Sequence, residues 1–295
     1  MKHIRPVLMS LIVLGVAFGM TYVPRSVQRA DSTNRILPAA QVVPAAVDET
    51  LLPPVVASQP VTLHDGAELL RQGHRWLKTI PDYRAVFRKQ ERVHGVLCEP
   101  ETIQLKVRQA PFSVSMAWDD CGRQVYYRDG LNDNRLTVKM GGWKGRLGWI
   151  NLDLHSTLAL QYARYPVTDA GLLRLTEQLI ERFEPYEQRT DGVVCAWQPE
   201  ELIGGRNCRV FVVEYASSAV NPDYRRSVVW LDQEWLIPLA VENFDWDISN
   251  TENPTGLVEH YVYEEIHLEQ GLSDLDFTHD ARPVAETVSE VTGTN

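Results

Sequence analysis

Enzymatic chemistry needs a nucleophile held by a base, a set of metal ligands, or two facing carboxylates, and few residues here could supply them. Ser217-Ser218 lack the flanking glycines of a G-x-S-x-G nucleophile elbow. His260, Glu264 and His267 would share one face of a helix and could there bind a metal. Val258, Val262, Ile266 and Leu268 instead alternate with polar residues, which reads as a strand with His260 and His267 on opposite faces. Asp245 and Asp247 flank Trp246 on one strand face and could hold a cation or a sugar hydroxyl, although solvated strand-end charges are the simpler reading. A glycan hydrolase would need them about 5–9 Å apart in an open cleft. Asp119-Asp120 before Cys121-Gly122 read as turn carboxylates that accept backbone hydrogen bonds. No catalytic residue, metal or cofactor is assigned.

The four cysteines, Cys98, Cys121, Cys195 and Cys208, include no C-x-x-C pair, so zinc and thioredoxin-like chemistry lack support. If 83–97, 102–109 and 112–118 are successive antiparallel strands, Cys98 and Cys121 occupy turns at the same end. The expected bridges are therefore Cys98–Cys121 and Cys195–Cys208, the second within a later hairpin. Four unpaired thiols are the alternative.

These residues need elements to carry them. Ala67, Leu70, Trp76, Leu77 and Ile80 recur at spacings near three and four, predicting an amphipathic helix over 65–80 with Asp65 as a cap and Pro81 beyond its end. The period then becomes two. Ile103, Leu105 and Val107, then Val114, Met116 and Trp118, alternate with polar residues as strands with one buried face. Strands continue over 124–127 and 136–140. Gly141, Gly142, Gly145 and Gly148 surround Trp143, Lys144 and Trp149 without the spacing of a phosphate loop, so this is a long connection or a flap over a pocket. A second helix is predicted over 168–183, capped by Thr168 or Asp169 and closed by Pro185. Strand patterns resume over 193–197, 208–215, 225–231, 238–246 and 257–268. Two helices cannot cover both faces of so much sheet, which excludes a doubly wound α/β fold. The class is α+β, a strongly curved antiparallel sheet forming an unclosed half-barrel, with two helices on its concave face. Outward basic residues such as Arg84, Arg88 and Lys106 guard the other face against edge pairing.

Particular segments add a resemblance. Residues 229–234, Val-Trp-Leu-Asp-Gln-Glu, followed by Ile237-Pro238-Leu239 and Val241-Glu242, resemble a hairpin of the periplasmic lipoprotein-sorting carriers, the LolA-like and LolB-like superfamily. Tyr261-Val262-Tyr263 and the later Asp276-Phe277 resemble its closing strand and terminal Asp-Phe. Residues 87–92, Phe-Arg-Lys-Gln-Glu-Arg, resemble more closely an exported bacterial family known as domain of unknown function 1571. So do 111–114, Pro166-Val167-Thr168 with Gly171-Leu172, and Gly204-Gly205-Arg206 before Cys208. The superfamily implies a half-barrel that shields acyl chains from water. Such shielding is favourable by about 0.8 kcal/mol per buried methylene. The resemblance carries over no ligand-contacting residue. The candidates for an apolar cavity come from the strand pattern: Leu105, Val107, Val114, Met116, Trp118, Val138, Val229 and Leu231 should point toward the helices.

The ends and the composition bound the remainder. Lys2 and Arg5 precede an uncharged apolar stretch over 7–23, so 1–30 reads as a cleaved export signal or a retained N-terminal anchor. The linker over 31–63 is rich in Pro, Ala and Val; the half-barrel follows over 64–280, and 281–295 reads as a flexible tail. The 295 residues carry 29 Lys and Arg against 39 Asp and Glu, a net charge of −10 with no basic run, which argues against nucleic acid and against an anionic membrane surface as partners. The expected protein is an exported, periplasmic or envelope-located monomer without enzymatic activity. Its partners are acyl chains of lipids or lipoproteins, and envelope proteins. A structural module of the envelope with a filled core is the alternative, and a glycan hydrolase is the more distant one.

Overall fold

A computed structural model describes residues 61–249 and 253–279; the leader, most of the linker and the tail expected from the sequence lie outside them. Helix α1 (Leu63–Leu77) opens with a capping box. The Thr62 hydroxyl accepts from the Asp65 amide, and the Asp65 carboxylate accepts from the Thr62 amide at 2.8 Å. Asp65 is thus the third helical residue of the cap, and the helix starts two residues earlier than its apolar period implies.

Strands β1 (Asp82–Val93), β2 (Val96–Leu97), β3 (Glu101–Arg108), β4 (Ser113–Ala117), β5 (Gln124–Arg128), β6 (Leu136–Lys139) and β7 (Trp149–Leu152) come next, then α2 (Leu172–Phe183). Five more follow: β8 (Val193–Ile203), β9 (Arg206–Tyr215), β10 (Arg226–Asp232), β11 (Pro238–Phe244) and β12 (Leu257–Leu268). The Gly–Trp segment, which has no alternating run of its own, is a 3₁₀ turn over Gly142–Leu147 that leads into β7. All pairings are antiparallel. The order is β7-β6-β5-β4-β3-β1-β12-β11-β10-β9-β8, with β2 folded back on β1. The edges β7 and β8 do not pair, so the sheet is an unclosed half-barrel, α+β in class.

One apolar core runs along the concave face. On β3 the pattern buries Ile103, Leu105 and Val107 and leaves Thr102 and Gln104 exposed. The two helices pack on each other and over the second meander, β8–β12, rather than the first, β1–β7: Gly66 of α1 lies against the Phe211 ring, and Gly73 against the Leu236 backbone and Ile237. Helix α2 starts at Leu172 rather than Thr168, because Val167–Asp169 forms its own 3₁₀ turn. Its first amide, Leu172 N, donates to the Tyr83 hydroxyl at 2.7 Å, and Gly171 (φ 102°) leaves room for that hydroxyl. The cap therefore comes from β1 and not from a neighbouring side chain.

On the convex face, the chain after β12 crosses β3–β5. Asp82 accepts from the amides of Gln270 and Leu272, Lys106 pairs with Asp276, Arg108 and Arg128 pair with Asp274, and Phe277 is buried.

Neither expected disulfide forms; all four thiols are free. Cys195 stands opposite Val213 and Cys208 opposite Glu201 in the β8–β9 ladder, so the two are separated by five ladder steps. A disulfide requires Cα atoms within about 7 Å. Cys98 and Cys121 do lie at the same end of the sheet but are held to different neighbours. Cys98 N donates to the Glu91 carbonyl on β1, whereas the Cys121 carbonyl accepts from Gly142 N and its sulfur packs on Gly141. Burial, then nearby carboxylates, pushes the Cys195 and Cys208 thiols up to about 11, which makes them poor nucleophiles near neutral pH.

Candidate ligand cavity

Under the first meander the helices do not fill the concave side. A cavity of about 170 Å³ lies between β1, β3–β7 and β12 on one side and residues 154–170 on the other, with Leu175 and Gln178 of α2 beside them. A cross-strand row supplies its floor, with Met116 opposite Val125 and Val125 opposite Val138. Leu152 at the end of β7 joins the floor, and Leu154, Leu158 and Ala159 come from the roof. Leu158 and Tyr162 are also about half exposed, so the cavity reaches solvent beside them. The roof has no long helix or strand, only turns: Asp153 Oδ1 accepts from His155 N, and the Asp153 carbonyl from the Ser156 hydroxyl.

Of the eight cavity candidates, Met116, Trp118 and Val138 line this space. Leu105, Val107 and Val114 are fully buried core beside it, and Val229 and Leu231 are packed beneath the helices of the other half. Alternation identifies which side of a strand is inside; it does not reveal which stretch of that side lacks a helix above it.

The roof is anchored by a buried polar cluster that sequence patterns did not single out. Glu259 on β12 has no exposure, and its carboxylate accepts from Asn243 Nδ2 at 2.7 Å, Tyr165 OH at 2.8 Å and Arg182 at 2.9 Å. Arg164 stands 3.3 Å away. Glu91 on β1 accepts from Tyr261 OH at 2.6 Å, from Lys89 at 2.9 Å and from the Arg164 amide at 3.2 Å. The Arg164 guanidinium also donates to the Arg92 carbonyl, and Lys89 to the Tyr162 carbonyl. Roof, α2 and the two central strands are thus tied at one point. Burial alone would raise the Glu259 carboxyl, but Arg182, Tyr165, Arg164 and Asn243 together outweigh it and hold it below its ordinary value. Burial and the two carboxylates drive the Tyr261 phenol well above its ordinary range. At neutral pH Glu259 is thereby kept ionised and Tyr261 kept neutral.

A second polar edge borders the cavity itself. Arg123 pairs with Glu101, Lys89 lies 3.5 Å from the same carboxylate, and the Arg123 guanidinium carbon sits 3.7 Å over the Trp118 ring.

Among the described residues, the chemistry-bearing candidates read from the sequence stay apart from one another. A bulge at Glu265 (φ 49°) shifts the β1–β12 register between Arg84 and Val86, so that His267 returns to the outer face with His260 and Glu264. The opposite-face reading is corrected by that one extra residue. The three remain strung along the strand, with Glu264 paired to Arg88 and His260 3.8 Å from Glu242. Among the described residues no cluster of His, Cys, Asp or Glu could hold a metal, and no helix is long and apolar enough to cross a membrane. Asp245 pairs with Arg92, and Asp247 accepts from the amide and hydroxyl of Ser249 just past β11.

No curated protein matches the chain. The chain is similar, at low identity, to solved structures that include the following three. A DUF1329 family protein from Desulfovibrio piger is 15% identical, covers 75% of this chain and 98% of its own, and superposes with a TM-score of 0.36. The Mycobacterium tuberculosis lipoprotein LppX is 14% identical over 71% of this chain and 98% of its own, with a TM-score of 0.41. A LolA superfamily protein from Nitrosomonas europaea is 14% identical over 75% of this chain and 100% of its own, with a TM-score of 0.27. The sequence profile described as "Protein of unknown function (DUF1571)" matches residues 80–284, the strands, roof and polar cluster included, and the chain belongs to that family.

Proposed function

We propose that this is a non-enzymatic, exported protein of the cell envelope that shelters an acyl chain of a lipid, lipoprotein or similar amphiphile in the cavity of its first meander. The observation that carries this reading is the cavity itself, with Met116, Val125, Val138, Leu152 and Leu154 on its walls and a roof made of turns. A dry apolar cavity of about 150 Å³ is large enough to take up benzene. This one, at about 170 Å³, takes a segment of alkyl chain, each methylene contributing about 0.8 kcal/mol. The apolar candidates lining it, Met116, Trp118 and Val138, act as contact surface, with unbranched Met116 adapting to chains of different shape. The envelope location rests on the apolar leader over 7–23, which serves as signal or anchor.

Native mass spectrometry of the purified protein, with lipid extraction, tests the reading together with titration by a fluorescent fatty acid. Co-purifying lipid or saturable probe binding is the expected result. Recovery of ligand-free protein that also fails to bind the probe overturns it and leaves the envelope interaction module, whose core would be filled.

A further inference from the structure

The strand registers fix which turns share an end of the half-barrel. Across the sheet, Trp149 stands opposite Lys139, Lys139 opposite Gln124, and Gln124 opposite Ala117. Glu101 stands opposite Lys89, Glu259 opposite Glu91, Leu257 opposite Phe244, Arg226 opposite Phe244 and Glu214, and Val194 opposite Glu214. The links between β1 and β3, β4 and β5, β6 and β7, β9 and β10, and β11 and β12 therefore form one rim. Tyr162 of the roof joins it, because its carbonyl accepts from Lys89. Nine large apolar side chains are exposed among the described residues, and six of them fall on this rim: Val96, Trp143, Leu147, Tyr162, Val194 and Ile248. Of the other three, Leu158 lies in the roof, Leu202 is next to the β8–β9 turn at the opposite end, and Leu275 is beside Asp274, which pairs with Arg108 and Arg128 at that same end. Trp143 and Leu147, 76% and 73% exposed, are the extreme cases and share one 3₁₀ turn with Lys144 and Arg146.

We infer that this rim is the face by which the protein settles on a lipid bilayer, with Trp143 and Leu147 entering its interface. Tryptophan and leucine partition there, while Lys144 and Arg146 can lay their stems along the same boundary and keep their charges in water. Asp119, Asp120 and Asp247 share the rim, so the contact is made by apolar tips and not by attraction to anionic lipid. The tips stand on separate segments, which suits a fluid surface better than a protein face that must match them in shape. The cavity is continuous with this end: Lys89, Glu101, Arg123 and Met140, all at rim ends of their strands, line it, and it reaches solvent beside Tyr162. The described chain also enters from this side, since α1 runs from Gly66 against Phe211 to Gly73 against Leu236, in a turn of the opposite end. Resting on the amphiphile reading above, a guest then passes between bilayer and cavity without crossing open water.

The test mixes the full chain with phosphatidylcholine vesicles whose brominated acyl chains quench tryptophans that enter the bilayer. None of the eight tryptophans precedes residue 76, so the leader contributes no signal. Wild-type protein should be quenched, and Trp143→Phe, which keeps an apolar tip, should lose the quenching. Leu147→Ser keeps the reporter and should reduce the quenching severalfold, whereas Leu202→Ser at the opposite end should leave it intact. All three positions are exposed, so the substitutions leave the fold in place. Quenching that is absent from wild type, that persists in Trp143→Phe, or that Leu202→Ser reduces as much as Leu147→Ser does overturns the docking. A second measurement judges the passage of the guest. In solution Leu147→Ser should bind the fluorescent fatty acid as wild type does, but should deliver it to vesicles severalfold more slowly. Equal delivery overturns passage through the rim and leaves the carrier reading standing. Failure of wild-type protein to bind the probe overturns the carrier reading, while the quenching still decides the docking.

Discussion

The two meanders share one sheet and one alternating pattern, yet they are covered differently. Over β8–β12 lie two helices, brought close because Gly66 and Gly73 present no side chain to Phe211 and to the Leu236 backbone. Phe211, Val229, Leu231 and Val241 below them are fully buried. Over β3–β7 lies a segment of turns fixed through Arg164 and Tyr165, and Met116 and Met140 beneath it keep some exposure. A helix offers a continuous ridge of side chains to a sheet, whereas a run of turns must keep much of its backbone solvated and cannot interdigitate to the same density. The helix-covered half supplies stability and the half roofed by turns supplies space.

That division can be broken at its common anchor. Glu259→Ala strands Arg182 and Arg164 beside a buried void, and a loss of about 3–5 kcal/mol is expected in denaturant unfolding. The same group sets a pH limit. Its carboxyl titrates lower in the fold than in the unfolded chain, so its contribution is complete above the ordinary value of 4.5 and is lost as pH falls through the folded value. Wild-type stability should drop below pH 4.5 more steeply than that of Glu259→Gln, as followed by thermal melts.

Next in size, Leu231→Ala in the helix-covered half should cost about 3 kcal/mol, since close neighbours there cannot collapse into the void. Gly73→Ala places a methyl against the Leu236 backbone and should cost about 1–3 kcal/mol. Met116→Ala in the roofed half should cost only about 1 kcal/mol, because that side chain already borders open space, while weakening probe binding severalfold. Equal losses for Leu231→Ala and Met116→Ala would erase the contrast between the halves.

Much of this frame is legible in the residues. Period-two alternation places β3, β4 and β12 within one or two residues, and the rarity of helical stretches yields the half-barrel class. What escapes is tertiary. The cap of α2 is a tyrosine 89 positions earlier in the chain. The Glu259 cluster gathers β1, the roof, α2, β11 and β12, and each member taken alone resembles an ordinary polar residue on a strand or helix. One bulge residue, Glu265, moves His267 to the other face, and nothing in the local composition announces it. The cavity is marked only by what lies above it, and 153–170 carries no period to reveal that it is a roof.

The sheet order has a further meaning for how the molecule comes into being. β1 is made first among the described strands, but one long flank of it pairs with β12, with Phe87 opposite Tyr263 and Arg88 opposite Val262. Throughout synthesis of the intervening chain, that flank of β1 has no native partner, and such distant pairing is slow to find. Completion waits for the last strand to emerge. Nascent chains cut short before β12 would carry an open strand flank at their centre, the kind of surface that chaperones bind and that otherwise seeds aggregates.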